Sequence, residues 1–430
     1  MIRIREIRVL DPESRLDQVL DLELREGRIA RMAEPGILEP GREGQEELLE
    51  LDGRGLVCAP GLMDVHVHFR DPGFTYKEDI FTGARAAAAG GFTRVVCMAN
   101  TEPVADTPEI LRSVLKRGEE TGIHVLTCGA LTKDLKGKEL TDLEALKAAG
   151  AAGFTDDGKP LLDEGLVRRA MEAARKLGLP VSFHEEDPRL IAQNGIHRGE
   201  VSRKLGLSGS PHEAEDVLVE RDCRLALETG CKVVIQHISS ARSVELVRRA
   251  KEAGASVFAE ATPHHFSLTQ EAVLQYGSLA KMNPPLRTEE DRQALIRGLQ
   301  DGTIDVIATD HAPHSREEKE RPFTEAPSGI IGLETALALG ITNLVRPGYL
   351  SLEELMRKMS VNPARLYGLE TPGICPGAPA DLVLFAEEEA WQVESFYSRA
   401  SNSPFTGSTL YGRVHATICG GRIVYKLKEF

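Results

Sequence analysis

The sequence predicts an α/β protein that combines a (β/α)8 barrel, or TIM barrel, with a small β-sandwich-like domain built from both termini. Eight short β-like runs alternate with amphipathic helical stretches through the middle of the chain, and this order is typical of parallel strands joined by helical crossovers. The two flanks instead contain short strands punctuated by Gly and Asp. The length of 430 residues fits a barrel with an attached small domain.

The barrel prediction depends on the spacing of the eight runs. They are 62–69, 93–99, 124–130, 151–156, 180–184, 232–238, 255–261 and 304–310. Ala- and Leu-rich segments with helical periodicity lie between them, such as 163–177, 213–229, 241–253 and 289–300. In such a barrel the active residues come from the carboxyl ends of the strands and the loops that follow them.

The flanks are predicted to form one unit. Residues 56–370 would form the barrel, and residues 1–55 and 371–430 the small β domain. Each flank has too few strands to bury a face alone, so we expect the two to fold together. A polar loop rich in Gly and Glu is predicted near 36–46.

Composition disfavours several partners and locations. The formal net charge of −14 argues against nucleic acid and anionic membranes, whose binding depends on clustered Lys and Arg. The chain has no apolar run near the ~18 residues of a membrane span, and its start alternates like a strand rather than a signal peptide, so a cytoplasmic protein is expected. The seven cysteines lack CxxC pairs, which argues against a disulfide framework and a thiolate zinc site.

The first predicted strand contains "DVHVHFRD", residues 64–71. Because strand side chains alternate between faces, Asp64, His66, His68 and Arg70 are expected to share one face. Two imidazoles at i and i+2 can bind one divalent metal ion. Taken alone, the pair fits either a metal site or two hydrogen-bonded core histidines.

Other strands favour the metal site. His184 ends the fifth run, His237 the sixth and Asp310 the eighth, while "FTDDG" places Asp156 and Asp157 at the end of the fourth. Nitrogen and oxygen ligands converging on one barrel mouth suit zinc or another divalent transition ion. His264 and His265 follow the seventh run with fewer matching partners, so supporting or loop-packing roles are expected for them.

This pattern resembles the amidohydrolase superfamily and, within it, the bacterial dihydroorotases of type I. The resemblance is carried by "DVHVHFRDPG" (64–73), "MANTEPVAD" (98–106), "GFTDDG" (153–158), "KMNPPLR" (281–287), "ATDHAPH" (308–314) and "GIIGLETAL" (329–337), and by the closing "NPARLYGL", "PGAPADLVLF" and "NSPFTGSTLYGRVHATICGGRIVY". It covers nearly the whole chain.

The resemblance implies a set of metal ligands. His66, His68 and Asp310 would hold one ion and His184 and His237 a second, with one or two Zn2+ per subunit. Many relatives bridge the ions with a carboxylated lysine, whereas here the resemblance implies Asp157 as the bridge and Asp156 as a loop cap. The implied reaction is the reversible closure of N-carbamoyl-L-aspartate to L-dihydroorotate, the third step of pyrimidine (UMP) biosynthesis, with Asp310 as proton carrier.

A substrate pocket is also implied. Its residues would be His68, Arg70, Asn100, Asn283, His314, Ser328 and Gly329. The planar fork of Arg70 can grip a carboxylate, although a structural ion pair with Asp71 is the alternative. The charged segment 312–329 lacks helical periodicity and is either a lid over the mouth or a plain solvated loop.

Two rival functions and several partners remain open. Hydantoinases and dihydropyrimidinases open related rings on the same scaffold, but they generally keep the bridging lysine and their substrates lack the ring carboxylate. A catalytically silent subunit supporting aspartate transcarbamoylase is less favoured, because no ligand position is missing here. A homo-oligomer with a small-molecule substrate is expected, and an active enzyme in complex with the transcarbamoylase stays compatible with the sequence.

Overall fold

The computed structural model describes residues 1–38, 48–371, 373–428 and 430, so most of the loop predicted near 36–46 lies outside the described residues. The strands are β1 (Ile2–Asp11), β2 (Leu16–Arg25), β3 (Arg28–Ala33), β4 (Leu49–Asp52), β5 (Val57–Pro60), β6 (Leu62–Val67), β7 (Phe92–Cys97), β8 (His124–Thr127), β9 (Phe154–Thr155), β10 (Val181–Phe183), β11 (Val233–Ile235), β12 (Val257–Ala261), β13 (Val306–Ile307), β14 (Leu382–Gln392), β15 (Thr409–Cys419) and β16 (Arg422–Lys426).

Helices follow the barrel strands. They are α1 (Ile80–Ala89), α2 (Pro108–Glu119), α3 (Leu143–Ala148), α4 (Glu164–Leu177), α5 (Glu200–Lys204), α6 (Glu213–Thr229), α7 (Ala241–Glu252), α8 (Pro263–Ser267), α9 (Ala272–Tyr276), α10 (Glu289–Asp301), α11 (Arg316–Lys319), α12 (Ala336–Gly340), α13 (Leu352–Met356) and α14 (Asn362–Leu366). Short 3-10 turns lie at Lys133–Leu135 and Gly277–Ala280, and π-helical turns at Ile341–Val345 and Arg357–Val361.

The strands β6 to β13 form the predicted barrel. They pair in parallel in chain order, as a three-stranded sheet (β6–β8) and a five-stranded sheet (β9–β13). A parallel bridge between Gly129 and Phe154 joins the two sheets, and a second between Val67 and His311 closes the ring. The predicted fold class is confirmed, and all eight observed strands overlap the predicted runs.

Except for β12, the observed barrel strands end before the predicted runs do. Strand β10 ends at Phe183 and β13 at Ile307, so His184 and Asp310 lie past the ends of their strands. Polar side chains that turn toward a shared mouth leave the regular ladder, which explains why the regular strands end before them.

The helix limits follow from end-capping residues. Asp163 precedes α4 and its carboxylate accepts the backbone N–H of Leu166, and Gly178 ends the same helix at φ 71°. Thr288 forms a reciprocal capping box with Asp291 at the start of α10. These signals are local, so the predicted helices 163–177 and 289–300 agree with the observed limits to within a residue.

The remaining strands join both chain ends in one sheet, in the order β16-β15-β14-β5-β1-β2-β3 with β4 beside β1. The antiparallel pairing of β14 with β5, from Leu382 opposite Pro60 to Phe385 opposite Val57, connects the two ends. Strand β5 begins after the predicted boundary at residue 56 and still pairs with this terminal sheet. A buried apolar cluster that includes Ile7 and Leu384 lies within the unit.

The sequence argued against a disulfide framework and against a membrane span, and the structure bears on both. All seven cysteines have free thiols, and all but Cys375 are buried. Among the helices of the described residues, none is both long and apolar enough to cross a membrane.

Candidate metal centre

Four imidazoles and two carboxylates meet at the carboxyl ends of the barrel strands. They fall into three overlapping groups in which all donor atoms lie within 4.8 Å of one another. The groups are His66, His68 and Asp157; His66, His237 and Asp310; and Asp157, His184 and His237. The structure thus brings together all six residues that the sequence predicted as metal ligands.

Asp157 occupies the middle of the cluster. Its Oδ1 lies 3.5 Å from His66 Nε2, 3.7 Å from His184 Nδ1 and 3.9 Å from His237 Nε2. Its Oδ2 lies 3.4 Å from His68 Nε2. A carboxylate that faces all four imidazoles has the position that a bridging ligand requires.

Asp156 points elsewhere. Its Oδ1 accepts the backbone N–H groups of Leu131 (2.8 Å) and Thr132 (3.0 Å). The neighbouring aspartate therefore fixes the loop after β8, which is the capping role expected for it.

Asp310 faces the first pair of histidines. Its Oδ1 lies 3.0 Å from His68 Nε2 and 3.5 Å from His66 Nε2. Asp310 also lines the cavity described below.

The electrostatics of the cluster favour a positive charge. Burial raises the cost of ionising Asp157, but the imidazoles of His66 and His184 outweigh it and hold the pKa of this carboxyl well below its usual range. Burial also opposes charge on His66, yet Asp310, Asp157 and Glu260 raise its pKa well above the ordinary value. Burial and the nearby His184 and His66 lower the pKa of His237, which favours its neutral imidazole, the form that can bind a metal ion.

The donor set fits a divalent cation. His66 Nε2 and Asp157 Oδ1 are buried and have no hydrogen-bond partner, which is costly unless another group satisfies them. Imidazole nitrogen and carboxylate oxygen are common ligands of Zn2+ and related ions. We therefore conclude that the residues present fit a metal cofactor.

In three of the four imidazoles, the ring nitrogen that faces away from Asp157 lies close to a side-chain oxygen. His66 Nδ1 is 3.0 Å from Glu260 Oε2, His68 Nδ1 is 3.0 Å from Asn100 Oδ1, and His184 Nε2 is 3.2 Å from Glu186 Oε2. The sequence reasoning missed Glu260 and Glu186. Glu260 was visible as a lone acid inside the apolar run "VFAEA", and acids in such runs are usually paired.

A small cavity of about 160 Å³ opens onto the cluster. Among the predicted substrate residues, its walls include His68, Arg70, Asn100, Asn283 and Ser328. Two others lie behind the wall. His314 Nε2 is bonded to the Ser328 carbonyl at 2.9 Å, and the Gly329 N–H donates to the Lys281 carbonyl at 2.9 Å.

Arg70 reaches the cavity with its charge unpaired. Its Nε donates to the Pro313 carbonyl at 3.3 Å, and no carboxylate among residues 1–38, 48–371, 373–428 and 430 forms an ion pair with it. The alternative partner, Asp71, pairs with Arg117 at 2.6 Å instead. The strand ends at Val67, so a left-handed backbone at Arg70 (φ 57°), rather than strand alternation, sets its direction.

His264 and His265 lie outside the ligand set. His265 Nε2 is bonded to the Pro284 carbonyl at 3.0 Å and its Nδ1 to the Thr262 hydroxyl at 2.7 Å. His264 is buried beside it in α8. These contacts agree with the loop-packing role expected from the sequence.

A sequence model of the amidohydrolase family matches residues 57–424, which include every residue of the cluster. The chain belongs to the amidohydrolase family. The predicted resemblance is thereby confirmed. Family membership and the ligand cluster identify a metal-dependent hydrolase that acts on a small molecule.

Curated relatives match this family member over almost its full length. It is 56% identical over 425 residues to a dihydroorotase of Clostridioides difficile (strain 630), covering 99% of this chain and 100% of that one. It is 50% identical over 431 residues to a dihydroorotase of Clostridium acetobutylicum, covering 100% of both chains.

Solved structures share the fold. An L-hydantoinase (dihydropyrimidinase) from Arthrobacter aurescens superposes with a TM-score of 0.85 at 23% identity, covering 99% of this chain and 96% of that one. A D-hydantoinase from Thermus sp. gives a TM-score of 0.83 at 23% identity, covering 99% and 95%. At this identity the likeness concerns the fold alone.

Proposed function

We propose that the chain is a dihydroorotase, which reversibly interconverts N-carbamoyl-L-aspartate and L-dihydroorotate in pyrimidine (UMP) biosynthesis. The observation that carries this proposal is the unpaired Arg70 guanidinium, which borders the cavity at the ligand cluster and suits a substrate carboxylate. The near-full-length dihydroorotase relatives support the same reaction.

The proposed cofactor is Zn2+, with one or two ions per subunit. His66, His68 and Asp310 would hold one ion, His184 and His237 a second, and Asp157 would bridge them. A bound divalent cation supplies Lewis acidity, which lowers the pKa of water and polarises a carbonyl. Three groups behind the imidazoles, Glu260, Asn100 and Glu186, would keep these ligands oriented.

Asp310 is the proposed proton carrier. In the hydrolytic direction its carboxylate takes a proton from the attacking water and delivers it to the departing ring nitrogen. In ring closure the two transfers run in reverse. Its position beside His68 Nε2 and at the cavity wall allows one carboxylate to reach both the ligand cluster and the substrate.

The substrate would lie in the cavity beside the imidazoles. Arg70 and Asn100 would bind its side carboxylate, with His314 joining them once it leaves the Ser328 carbonyl. Asn283, Ser328 and Gly329 are the proposed ring contacts. The Ser328 hydroxyl donates to Asn283 Oδ1 at 3.1 Å, so these two side chains act as one hydrogen-bonding surface.

Ring opening of hydantoins or dihydropyrimidines is the alternative. The hydantoinase structures share the fold with this chain. Two features favour the carboxylated ring: Asp157 stands where the rival enzymes generally keep a lysine, and Arg70 has no protein carboxylate. A neutral ring would leave this arginine unsatisfied on binding.

The Arg70→Met variant tests the substrate assignment. The variant should lose about 2–4 kcal/mol of binding to dihydroorotate and carbamoyl aspartate, since a desolvated charge pair disappears, and its KM should rise accordingly. Wild-type turnover of dihydroorotate should far exceed that of dihydrouracil.

The matched control is Arg224→Met, which removes an exposed arginine of α6 paired with Glu164 at 2.8 Å and should leave KM unchanged. Faster turnover of dihydrouracil, or unchanged kinetics in the Arg70 variant, would contradict the proposal.

Location and assembly are further proposals. The near-full-length dihydroorotase relatives, which are metabolic enzymes, support a cytoplasmic location. A homo-oligomer and a complex with aspartate transcarbamoylase follow from the family resemblance. Size measurement of the purified protein, alone and mixed with the transcarbamoylase, tests both.

A further inference from the structure

Glu260 is a buried acid beneath the ligand cluster. It lies in strand β12 and is 1% exposed. Its Oε2 is 3.0 Å from His66 Nδ1 and accepts the backbone N–H of His237 at 3.4 Å. Both contacts go to residues whose imidazoles belong to the cluster.

In the described part of the chain, the polar contacts of this carboxyl group come from His66 and a backbone N–H rather than from a lysine or arginine. Among the residues that the structure describes, no lysine or arginine lies within 4.0 Å of it, and its Oε1 has no hydrogen-bond partner. Glu23, by contrast, pairs with Arg3 at 2.8 Å. A buried carboxyl group is costly unless it is hydrogen-bonded, so the contact with His66 is the interaction that accounts for the place of Glu260.

The geometry of His66 indicates which group is served. An imidazole that binds a cation through Nε2 must carry its proton on Nδ1, and a hydrogen bond from Nδ1 to a carboxylate fixes that tautomer and makes Nε2 a stronger ligand. His66 Nε2 faces Asp157 and Asp310, while Nδ1 faces Glu260.

We propose that Glu260 is a positioning residue for the metal centre, holding His66 in the orientation and tautomer that leave Nε2 free to bind a cation. The inference rests on the proposed metal-dependent function. Glu260 also accepts the backbone N–H of His237. One buried carboxyl group therefore contacts both His66, a proposed ligand of the first ion, and His237, a proposed ligand of the second.

Two variants separate the charge of Glu260 from its hydrogen bond. Glu260→Gln keeps a similar shape and an acceptor oxygen but removes the charge, and Glu260→Leu removes both. The matched control is Asp291→Asn, because Asp291 is a buried carboxylate bonded to His212 Nε2 at the same 3.0 Å, outside the cluster. Each protein is stripped of metal, and the zinc dissociation constant is measured by competition with a chelating dye.

The loss of zinc affinity should be larger when both the charge and the acceptor oxygen are removed than when the charge alone is removed. The zinc dissociation constant should rise about 10-fold in Glu260→Gln and about 100-fold in Glu260→Leu, the range seen when groups behind metal ligands are removed. The increase in melting temperature on adding zinc should shrink in the same order. Asp291→Asn should lower the melting temperature with and without zinc equally and leave the dissociation constant unchanged.

Other outcomes overturn the inference. If both Glu260 variants bind zinc as tightly as the wild type, Glu260 has only a structural role. If both lower the melting temperature by the same amount with and without zinc, the same conclusion holds. If the wild type itself binds no divalent cation, the proposed metal-dependent function fails and the inference fails with it. If the wild type binds zinc and the Glu260 variants bind it equally well, the inference alone fails.

Discussion

At the scale of single residues, three members of the site adopt an uncommon backbone conformation. Arg70, His237 and Asp310 have φ values of 57°, 33° and 46°, a region that side-chain-bearing residues rarely occupy. Such conformations cost free energy and persist only where the surrounding structure imposes them, which is typical of functional sites. Each residue follows the end of a barrel strand, so the strain turns a side chain toward the cluster.

Asp64 shows how a residue beside the ligands closes the barrel. It is fully buried, and its Oδ1 accepts the backbone N–H groups of His66 at 3.0 Å and Thr309 at 3.2 Å. Burial raises the pKa of Asp64 to about 7. Because it links the first and last strands of the ring, Asp64 sets the distance between His66 and Asp310.

The Asp310→Asn variant tests the proton-carrying role. Asparagine tolerates the left-handed backbone and can still act as a weak ligand, but its amide cannot carry a proton. We expect turnover to fall about 100- to 10,000-fold with metal content close to that of the wild type. Steady-state kinetics and metal analysis check both.

The control for this variant is Asp163→Asn at the start of α4. Asparagine caps a helix as well as aspartate does, so activity and stability should remain near those of the wild type. Near-normal turnover of Asp310→Asn would refute the assigned role.

At the scale of elements, the segment 312–329 contains one short helix, α11, and is otherwise held in place by buried polar groups. Lys281 Nζ donates to the Phe323 and Ala326 carbonyls and Lys319 Nζ to the Pro327 and Gly329 carbonyls, over 2.7–3.1 Å. Asn402 donates to the Ala312 and Gly329 carbonyls at 3.0 Å. These contacts hold the Ser328 wall of the cavity in place.

Lys319 makes this segment sensitive to pH. Burial and the nearby Lys281 lower the pKa of Lys319 to about 7. Between that value and its higher ordinary pKa, the unfolded chain binds more protons than the folded one, so this residue makes stability rise with pH. The cost of burying the ammonium is therefore largest at and below neutral pH.

The Lys319→Met variant should remove this dependence. From about pH 7 to about pH 9, the free energy of unfolding of the wild type minus that of the variant should increase by at most ~1.4 kcal/mol per pH unit. Denaturant unfolding at several pH values measures the difference. Lys116→Met, which changes an exposed lysine of α2, is the control and should run parallel to the wild type. A constant difference between wild type and Lys319→Met would contradict the prediction.

At the scale of the whole molecule, the terminal sheet and the barrel share a packed boundary. Val383 and Phe385 of β14 belong to the same apolar core as the barrel residues Leu62 and Phe92. The approach is close at Gly91, where an added Cβ would lie 2.7 Å from Val383 Cγ2. The terminal unit thus supports the barrel on the side away from the metal centre.

Metal removal should therefore separate activity from folding. Dialysis against a chelator should abolish turnover while the far-UV circular dichroism stays unchanged, since large apolar clusters pack both the barrel and the terminal sheet. Adding back a divalent cation at about 100 times its dissociation constant should restore turnover and stabilise the fold by about 2.7 kcal/mol. Full turnover by protein shown to be metal-free would refute the metal-dependent mechanism.

The sequence by itself determined the order of the barrel strands, the limits of the predicted helices 163–177, 213–229, 241–253 and 289–300, and five candidate ligands, while the choice of Asp157 over Asp156 came from the family resemblance. These depend on local signals: periodicity over a few residues, capping residues such as Asp163 and Thr288, and polar residues at strand ends such as His184. Because parallel barrel strands share one carboxyl end, strand order was enough to predict that these side chains meet.

Only the tertiary structure decided the contacts between distant segments. It paired Asp71 with Arg117 and left Arg70 free, placed His314 and Gly329 behind the cavity wall, and set Glu260 against His66, 194 positions away. It also joined β5 to β14. Such contacts depend on backbone turns and on which buried charges find partners, and both are properties of the packed chain rather than of any short stretch of sequence.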